Sequence, residues 1–372
     1  MPFVTGGMQQ HSYYLAKYLT LNDCKVTLVH CVYNRSSPDD KDLNAHLFSN
    51  VEKLFNVKTL RFPVSLSFPG HYIYNSWRYS KLVYEAVKND LDSFDFIYIK
   101  GFSGWKLLSL NSSALRTFVV GINFHGMNMF LPTNGLKLII SNLLFRPFVK
   151  YNMKKSDYVF SYGGKVTSTI INSGLSEKKI VEIPAGIESS FIVNKNNIKV
   201  NSKLKFMFVG RDDPLKGIDE LFKALKVINP SLIDFEFIGP IPTKLTQNNI
   251  KYHGLIKKKK DVFHIMDKCD VLIVPSYSEG MPNVILEAMA RGLIIIASDV
   301  GAINILVSSK NGILINNPKH ENILKAIKTL IKLDSKSLLK MKYFSIKLVT
   351  DSFTWEKVVN YTIKMIKPLL KK

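Results

Sequence analysis

Residues 274–292, Val-Pro-Ser-Tyr-Ser-Glu-Gly-Met-Pro-Asn-Val-Ile-Leu-Glu-Ala-Met-Ala-Arg-Gly, constrain this chain more than any other stretch. They leave an apolar strand at Val274, cross a polar turn and enter a helix. Pro282 suits the first helical position, where a missing N–H costs nothing. Glu279 falls in the turn and Glu287 on the helix, with seven residues between them. The helix N-terminus therefore opens beside Glu279 with unpaired N–H groups and the positive end of its dipole. Such an end attracts phosphate, and a nearby carboxylate accepts hydrogen bonds from hydroxyls. Taken alone, the stretch supports two readings equally. One is a site for a phosphorylated sugar; the other is a strand, a turn and a core helix with two solvated glutamates.

The rest of the chain repeats the same strand–helix alternation. Strands are expected at 25–32, 58–64, 94–100, 117–123, 157–161 and 179–183, then at 205–209, 234–238, 250–253, 271–274, 294–297 and 312–315. Helices are expected between them, including a basic, apolar-rich one over 134–155 that Pro147 interrupts. Further helices fall near 320–333, 335–350 and after Trp355. Residues 188–203 are polar, rich in Asn and Lys, and lack an apolar period, so the interdomain linker is placed there. Repeated βα units imply parallel sheets covered by helices on both faces, with ligands at the carboxyl ends of the strands. The start is irregular. Gly6-Gly7 opens a helix over 8–19, yet no strand precedes it to aim the loop, so the first strand of the first domain is missing, and the expectation is a misassigned start or a truncated product.

Composition narrows the partners. A net charge of +22 over 372 residues points to anionic ones. The lysines are dispersed, which disfavours nucleic acid and leaves phosphorylated substrates or an anionic membrane surface. Three cysteines, Cys24, Cys31 and Cys269, lack the spacing of a disulfide framework or a zinc site, and a reducing cytosol is the expected home. No apolar run reaches the ~18–20 residues of a membrane span, and no signal peptide opens the chain. The basic amphipathic segment 136–150 suits either a membrane interface or a helix covering one sheet face.

A second candidate site lies in Val209-Gly-Arg-Asp-Asp-Pro-Leu-Lys-Gly217, between a strand and a helix. Arg211 offers a planar fork for phosphate oxygens and Lys216 a mobile point charge. The glycine spacing, and the absence of Ser or Thr after the Lys, exclude a Walker motif. His125 ends a strand in Phe-His-Gly126, a position that favours function. His11, behind Gly7, reads equally as a helix-surface or satisfied histidine or as an acceptor-side group. No role is assigned to His30, His46, His71, His253, His264 or His320. Lys257–Lys260 reads as a solvated loop.

The ordered set Gly6-Gly7, His125-Gly126, Pro184-Ala-Gly-Ile187, Gly210-Arg-x-x-x-x-Lys-Gly217 and Glu279-Gly-Met-Pro-Asn-Val-Ile-Leu-Glu287 resembles the retaining family-4 glycosyltransferases, glycosyl transferases group 1, over nearly the whole chain. The resemblance implies an α/β GT-B fold: two Rossmann-like, doubly wound parallel-sheet domains facing across a cleft. The domains would be 1–187, joined by a crossover helix at 353–372, and 204–352, which binds a nucleotide sugar. It implies Arg211 and Lys216 on the donor diphosphate, Glu287 on the ribose hydroxyls and Glu279 on the donor sugar. Gly280, Met281, Pro282, Asn283 and Val284 would contact sugar and phosphate through backbone, Gly7 would approach the diphosphate, and His125 would lie close to the transferred sugar. Catalytic roles would fall to His125, Arg211, Lys216 and Glu279.

The implied activity is transfer of a sugar, with retention, to a hydroxyl of a saccharide or lipid-linked saccharide in cell-surface polysaccharide or lipopolysaccharide synthesis. A UDP-sugar is the first expectation and a GDP-sugar the second. No cofactor and no metal are expected, since the cationic side chains and the helix dipole would stabilise the leaving diphosphate. Two departures stand out: Ala185 where the family usually has Asn, and no acidic residue near Ile305. The competing readings are a nucleotide-sugar epimerase, a non-catalytic sugar- or nucleic-acid-binding relative, and a hydrolase using Glu279 and Glu287 as acid and base.

Overall fold

The computed structural model describes residues 7–32, 55–61, 70–110, 116–131 and 136–370. Residues 1–6, where the missing first strand would be judged, lie outside the described residues, as do 62–64 of the second expected strand. The chain divides into two compact units. The first comprises residues 1–162, 167–183 and 358–372, the second residues 163–166 and 184–357.

The first unit runs α1 (Gly7–Thr20), β1 (Val26–Val32), β2 (Phe55–Arg61), α2 (His71–Val87), β3 (Phe96–Lys100), α3 (Trp105–Leu110), β4 (Val119–Asn123), α4 (Leu136–Lys155), β5 (Tyr158–Ser161), α5 (Lys165–Asn172) and β6 (Ile180–Glu182). Strands β1 and β2 pair in parallel, and β3, β4, β5 and β6 form a second parallel sheet in that order. Strand β4 is buried along its full length, as an apolar run between two parallel neighbours requires. Helix α4 continues through Pro147, against the expected interruption. Proline there removes the hydrogen bond to the carbonyl four residues upstream, at Leu143. Leu143 lies on the exposed side of the helix.

The second unit continues with β7 (Lys205–Val209), α6 (Ile218–Val227), β8 (Asp234–Ile238), β9 (Ile250–Tyr252), α7 (Lys259–Met266), β10 (Val271–Val274), α8 (Asn283–Ala290), β11 (Ile294–Ser298), α9 (Ile303–Leu306), β12 (Gly312–Ile315), α10 (His320–Ile331) and α11 (Ser335–Ser352); α12 (Trp355–Ile366) follows and belongs to the first unit from Val358 on. Its six strands are all parallel, in the order β12-β11-β10-β7-β8-β9. The order reverses between β7 and β10, the point where doubly wound sheets open a crevice at their carboxyl ends. Phe206, Phe208, Phe235 and Phe237 fill the core beneath it together with Ile273 and Ile296. The segment 188–203, expected as a linker, is packed inside this unit. It forms two 3-10 turns, and Val193 donates its N–H to Ala290 O at 3.0 Å. A buried ion pair ties α11 to the sheet: Lys342 Nζ reaches Asp270 Oδ1 at 2.9 Å, and Asp270 also accepts from Asn201 and from the Lys205 N–H.

Candidate active site

The loops after β7 and β10 meet at the reversal point. Asp213 accepts the Leu215 N–H through Oδ1 and so caps a 3-10 turn over Pro214–Lys216. Gly217 closes the turn at φ 65°, and a Cβ there would stand 1.9 Å from Pro275 O, so only glycine lets the two loops touch. Tyr277 donates its N–H to Leu215 O at 2.8 Å. This fit aims Lys216 at Glu279: Nζ donates to Oε1 at 2.7 Å, and Ser276 Oγ donates to the same oxygen at 2.7 Å. Oε2 of Glu279 accepts no hydrogen bond from the described residues. Arg211 shares the loop but stays largely exposed, its nearest acid being Asp213 at 3.9 Å.

The Glu279–Gly280 peptide rests on the loop after β11. Ala302 donates its N–H to Gly280 O at 2.7 Å, and Gly301, at φ 60°, lets that backbone approach. Met281 is buried, and its sulfur accepts the Ala185 N–H at 3.0 Å. The loop that carries Ala185 in place of Asn is thereby pinned. The Ile187–Thr354 bridge and the packing of Gly186 on Trp355 hold it further. Pro282 is the N-cap of α8, not its first helical residue as expected; its ψ of 117° is extended, and its carbonyl accepts the Ile285 N–H. Asn283 and Val284 begin α8 and are half-buried.

Glu287 is the carboxylate on the otherwise apolar, buried face of α8. Lys259 Nζ pairs with its Oε1. This corrects the reading of 257–260 as a solvated loop, because Lys259 stands in the first turn of α7 and its ammonium is fixed on Glu287. The solvated-glutamate reading of Glu279 and Glu287 fails on the same ground. Both side chains are only about one-tenth exposed, and each holds a lysine.

In the first unit, Gly7 opens α1 and is exposed. His125 follows β4 at φ 57°, a conformation rare outside glycine, held by its N–H on Asn123 Oδ1 at 2.8 Å. Its Nδ1 meets the Tyr162 hydroxyl at 2.6 Å, and its Nε2 is buried without a hydrogen-bond partner. Burial, and then the charge of Lys100, push its pKa down to about 3, so the ring is neutral at pH 7. His11 is buried, not on a helix surface. Its ring stands 5.9 Å from that of His125, and its Nδ1 receives the Lys100 ammonium at 2.8 Å.

The sequence reasoning missed Ser276, Lys259, Lys100 and Tyr162. Ser276 and Lys100 carried a signal, since each stands at or just beyond the carboxyl end of a strand. Lys259 sat unmarked in a run of four lysines. Among the described residues no group of three or more His, Cys, Asp or Glu side chains is placed to hold a metal.

The Glycosyl transferases group 1 family matches residues 203–333. An uncharacterized glycosyltransferase of Methanocaldococcus jannaschii is 28% identical over 299 residues, covering 77% of this chain and 78% of that protein. The N,N'-diacetylbacillosaminyl-diphospho-undecaprenol alpha-1,3-N-acetylgalactosaminyltransferase of Campylobacter jejuni is 23% identical over 237 residues, covering 58% of this chain and 60% of that protein. Among solved structures, sucrose-phosphate synthase from Thermosynechococcus elongatus matches with a TM-score of 0.78 at 17% identity, over 99% of this chain and 96% of that one. HepE of Anabaena, solved with UDP-glucose, matches with a TM-score of 0.69 at 17% identity, over 98% of this chain and 97% of that one. The group 1 signature lies on the half that carries Lys216 and Glu279, the likeness to glycosyltransferases extends through most of the chain, and both units are Rossmann-like. Residues 203–333 carry the glycosyl transferases group 1 family, most of the chain is similar to glycosyltransferases, and the fold is GT-B.

Proposed function

We propose that this glycosyltransferase moves a hexose from a UDP-sugar to a hydroxyl of a lipid-linked saccharide, with retention, during cell-surface polysaccharide or lipopolysaccharide synthesis. The observation that carries the reading is the Lys216–Glu279–Ser276 cluster at the point where the strand order of the second sheet reverses. A cation for phosphate and a carboxylate with one free oxygen for a sugar hydroxyl stand side by side there. HepE holds UDP-glucose, which favours UDP over GDP. The Campylobacter relative acts on a diphospho-undecaprenol acceptor, which favours a lipid-linked one.

Departure of UDP develops negative charge on the β-phosphate. Lys216, the mobile fork of Arg211 and the α8 N-terminus meet that charge as preorganised electrostatics, with no metal ion in the step. The acceptor hydroxyl attacks from the face that the phosphate leaves, and its proton passes to the leaving oxygen. The anomeric configuration is kept, and neither glutamate becomes a nucleophile. Glu279 holds a hydroxyl of the donor sugar and Glu287 the ribose. Neutral His125 lies beside the transferred sugar, and Gly7 and the backbone of 280–284 approach the diphosphate and sugar.

The enzyme would work on the cytosolic face of a membrane, docked peripherally. Helix α4 exposes Ile139, Ile140, Leu143 and Leu144, an apolar strip at helical spacing. Nearby, α2, α3 and Tyr151 of α4 enclose an aromatic groove of about 590 Å³, lined by Tyr74, Trp77 and Trp105. No helix among the described residues is long and apolar enough to cross a membrane.

The test is calorimetric titration with UDP and GDP, followed by NMR of the product formed from a UDP-hexose panel and a diphosphoprenyl saccharide. UDP binding and an anomeric proton of unchanged configuration are expected. Binding of neither nucleotide, an inverted product, or donor turnover without acceptor would each overturn the reading.

A further inference from the structure

Where this protein buries a cation, it supplies a carboxylate. Lys342 has Asp270 at 2.9 Å, and Arg116 has Asp157 at 3.1 Å. That is the ordinary way to offset the desolvation of a buried charge. Lys100, whose ammonium is stripped of enough water by burial to lower its pKa, breaks the rule. It ends β3, is half-buried, and forms no ion pair with any carboxylate among the described residues. Among the described residues the titratable groups around it are His11 from α1, Tyr98 from its own strand and His125 after β4, with Tyr162 after β5 against both histidines. None of them carries negative charge at neutral pH: burial raises the pKa of both tyrosines above the usual value.

Two more observations mark the cluster as a place for a ligand. His125 keeps Nε2 buried and unbonded, and its backbone is held in the left-handed region, a strain that persists only where the surroundings enforce it. The cluster also stands at the carboxyl ends of adjacent parallel strands, β3 and β4, where such sheets receive ligands.

We propose that Lys100, His11 and His125 form an anion subsite in the first unit that takes the phosphate or diphosphate group of the acceptor. The assignment to the acceptor rests on the reading above, in which Arg211 and Lys216 of the other unit hold the donor diphosphate. The subsite discharges itself when empty. Burial brings Lys100 down to about 7, and burial, Lys100 and His125 hold His11 well below 6.5. An entering anion restores the charge of Lys100, so binding takes up a proton above pH 7 and tightens as pH falls toward 7.

The experiment uses the full chain. Titration with UDP first reports on the donor site. With UDP then saturating, geranyl diphosphate and inorganic pyrophosphate are titrated by calorimetry at several pH values between 7 and 9. Both are expected to bind, with up to about tenfold tighter binding per pH unit for uptake of one proton. Lys100→Met is expected to weaken both at least tenfold. Lys100→Arg, whose charge does not titrate, should keep binding and lose the part of the pH dependence that Lys100 supplies. Lys100→Gln, with thermal melts, separates loss of the subsite from loss of the fold. Absence of binding, binding that UDP displaces, or unchanged affinity in both Lys100→Met and Lys100→Gln would overturn the subsite. Binding of pyrophosphate without geranyl diphosphate would assign it to free phosphate and overturn the acceptor assignment. Failure of UDP to bind would strike the proposed donor reaction alone.

Discussion

Lys216 and Glu279 stand 63 positions apart in the chain, yet Nζ and Oε1 are 2.7 Å apart. The β7 and β10 loops bring them together because those two strands are neighbours at the reversal of the sheet. An ion pair of this kind has two uses. On the proposed function it would orient the carboxylate for a hydroxyl while the ligand is absent, and would keep a cation at the place where phosphate arrives.

Lys216→Ala is therefore expected to lower kcat/KM for transfer by about 10²–10³, the usual loss of one donor to a developing negative charge. Melting temperature should change little, because the pair is partly solvated. Steady-state kinetics with the UDP-hexose identified by the panel provide the check; a loss under threefold would remove Lys216 from the phosphate site.

Lys259 holds Glu287 from α7, so its effect should reach the nucleotide and not the sugar. In Lys259→Ala the KM for the donor is expected to rise roughly tenfold, about 1.4 kcal/mol, with kcat nearly unchanged. The discriminating measurement compares the UDP-sugar with its 2'-deoxyribose analogue. The variant should prefer the natural donor less than the parent does.

The buried bases of the first unit set a pH dependence of stability. Lys100 has its folded pKa depressed to about 7 from 10.5, so its contribution to stability is full above 10.5 and declines as pH falls to 7. His125, depressed to about 3 from 6.5, adds a second decline as pH falls from 6.5 toward 3. Denaturant melts across pH 3–10 on the parent and on Lys100→Met test this: the variant should lose the upper limb and keep the lower one. An identical upper limb in both proteins would refute the assignment.

Lys342→Ala strands Asp270 in a site with no exposure. Breaking a buried pair from one side costs about 3–5 kcal/mol. The shift is expected in the urea midpoint at constant m-value. A change below about 1 kcal/mol would mean that Asp270 relaxes onto Asn201 and the Lys205 amide, and that these satisfy it alone.

Ile140→Glu combined with Leu144→Glu charges the exposed strip of α4 without touching the core. Sedimentation with vesicles containing phosphatidylglycerol should show the parent bound and the variant released, with the same melting temperature. Equal sedimentation of both proteins would count against this face as the membrane contact.

The sequence by itself determined the layered α/β architecture, because the strand runs at 206–209, 271–274 and 294–297 are apolar throughout, as strands buried on both faces must be. It determined the strand–turn–helix units around Arg211, Lys216, Glu279 and Glu287, because turn chemistry and helical spacing are local properties. It did not determine what those side chains touch. Whether Glu279 was solvated or held, whether Lys259 was one of four loop lysines or the partner of Glu287, and whether His11 faced solvent or Lys100 depended on which loops lie side by side. That follows from sheet order and from close approaches such as Gly217 on Pro275, which join residues far apart in the chain and leave no local periodicity to read. Tertiary structure alone decided that a lysine at the end of β3 is set against two histidines with no acid beside it among the described residues.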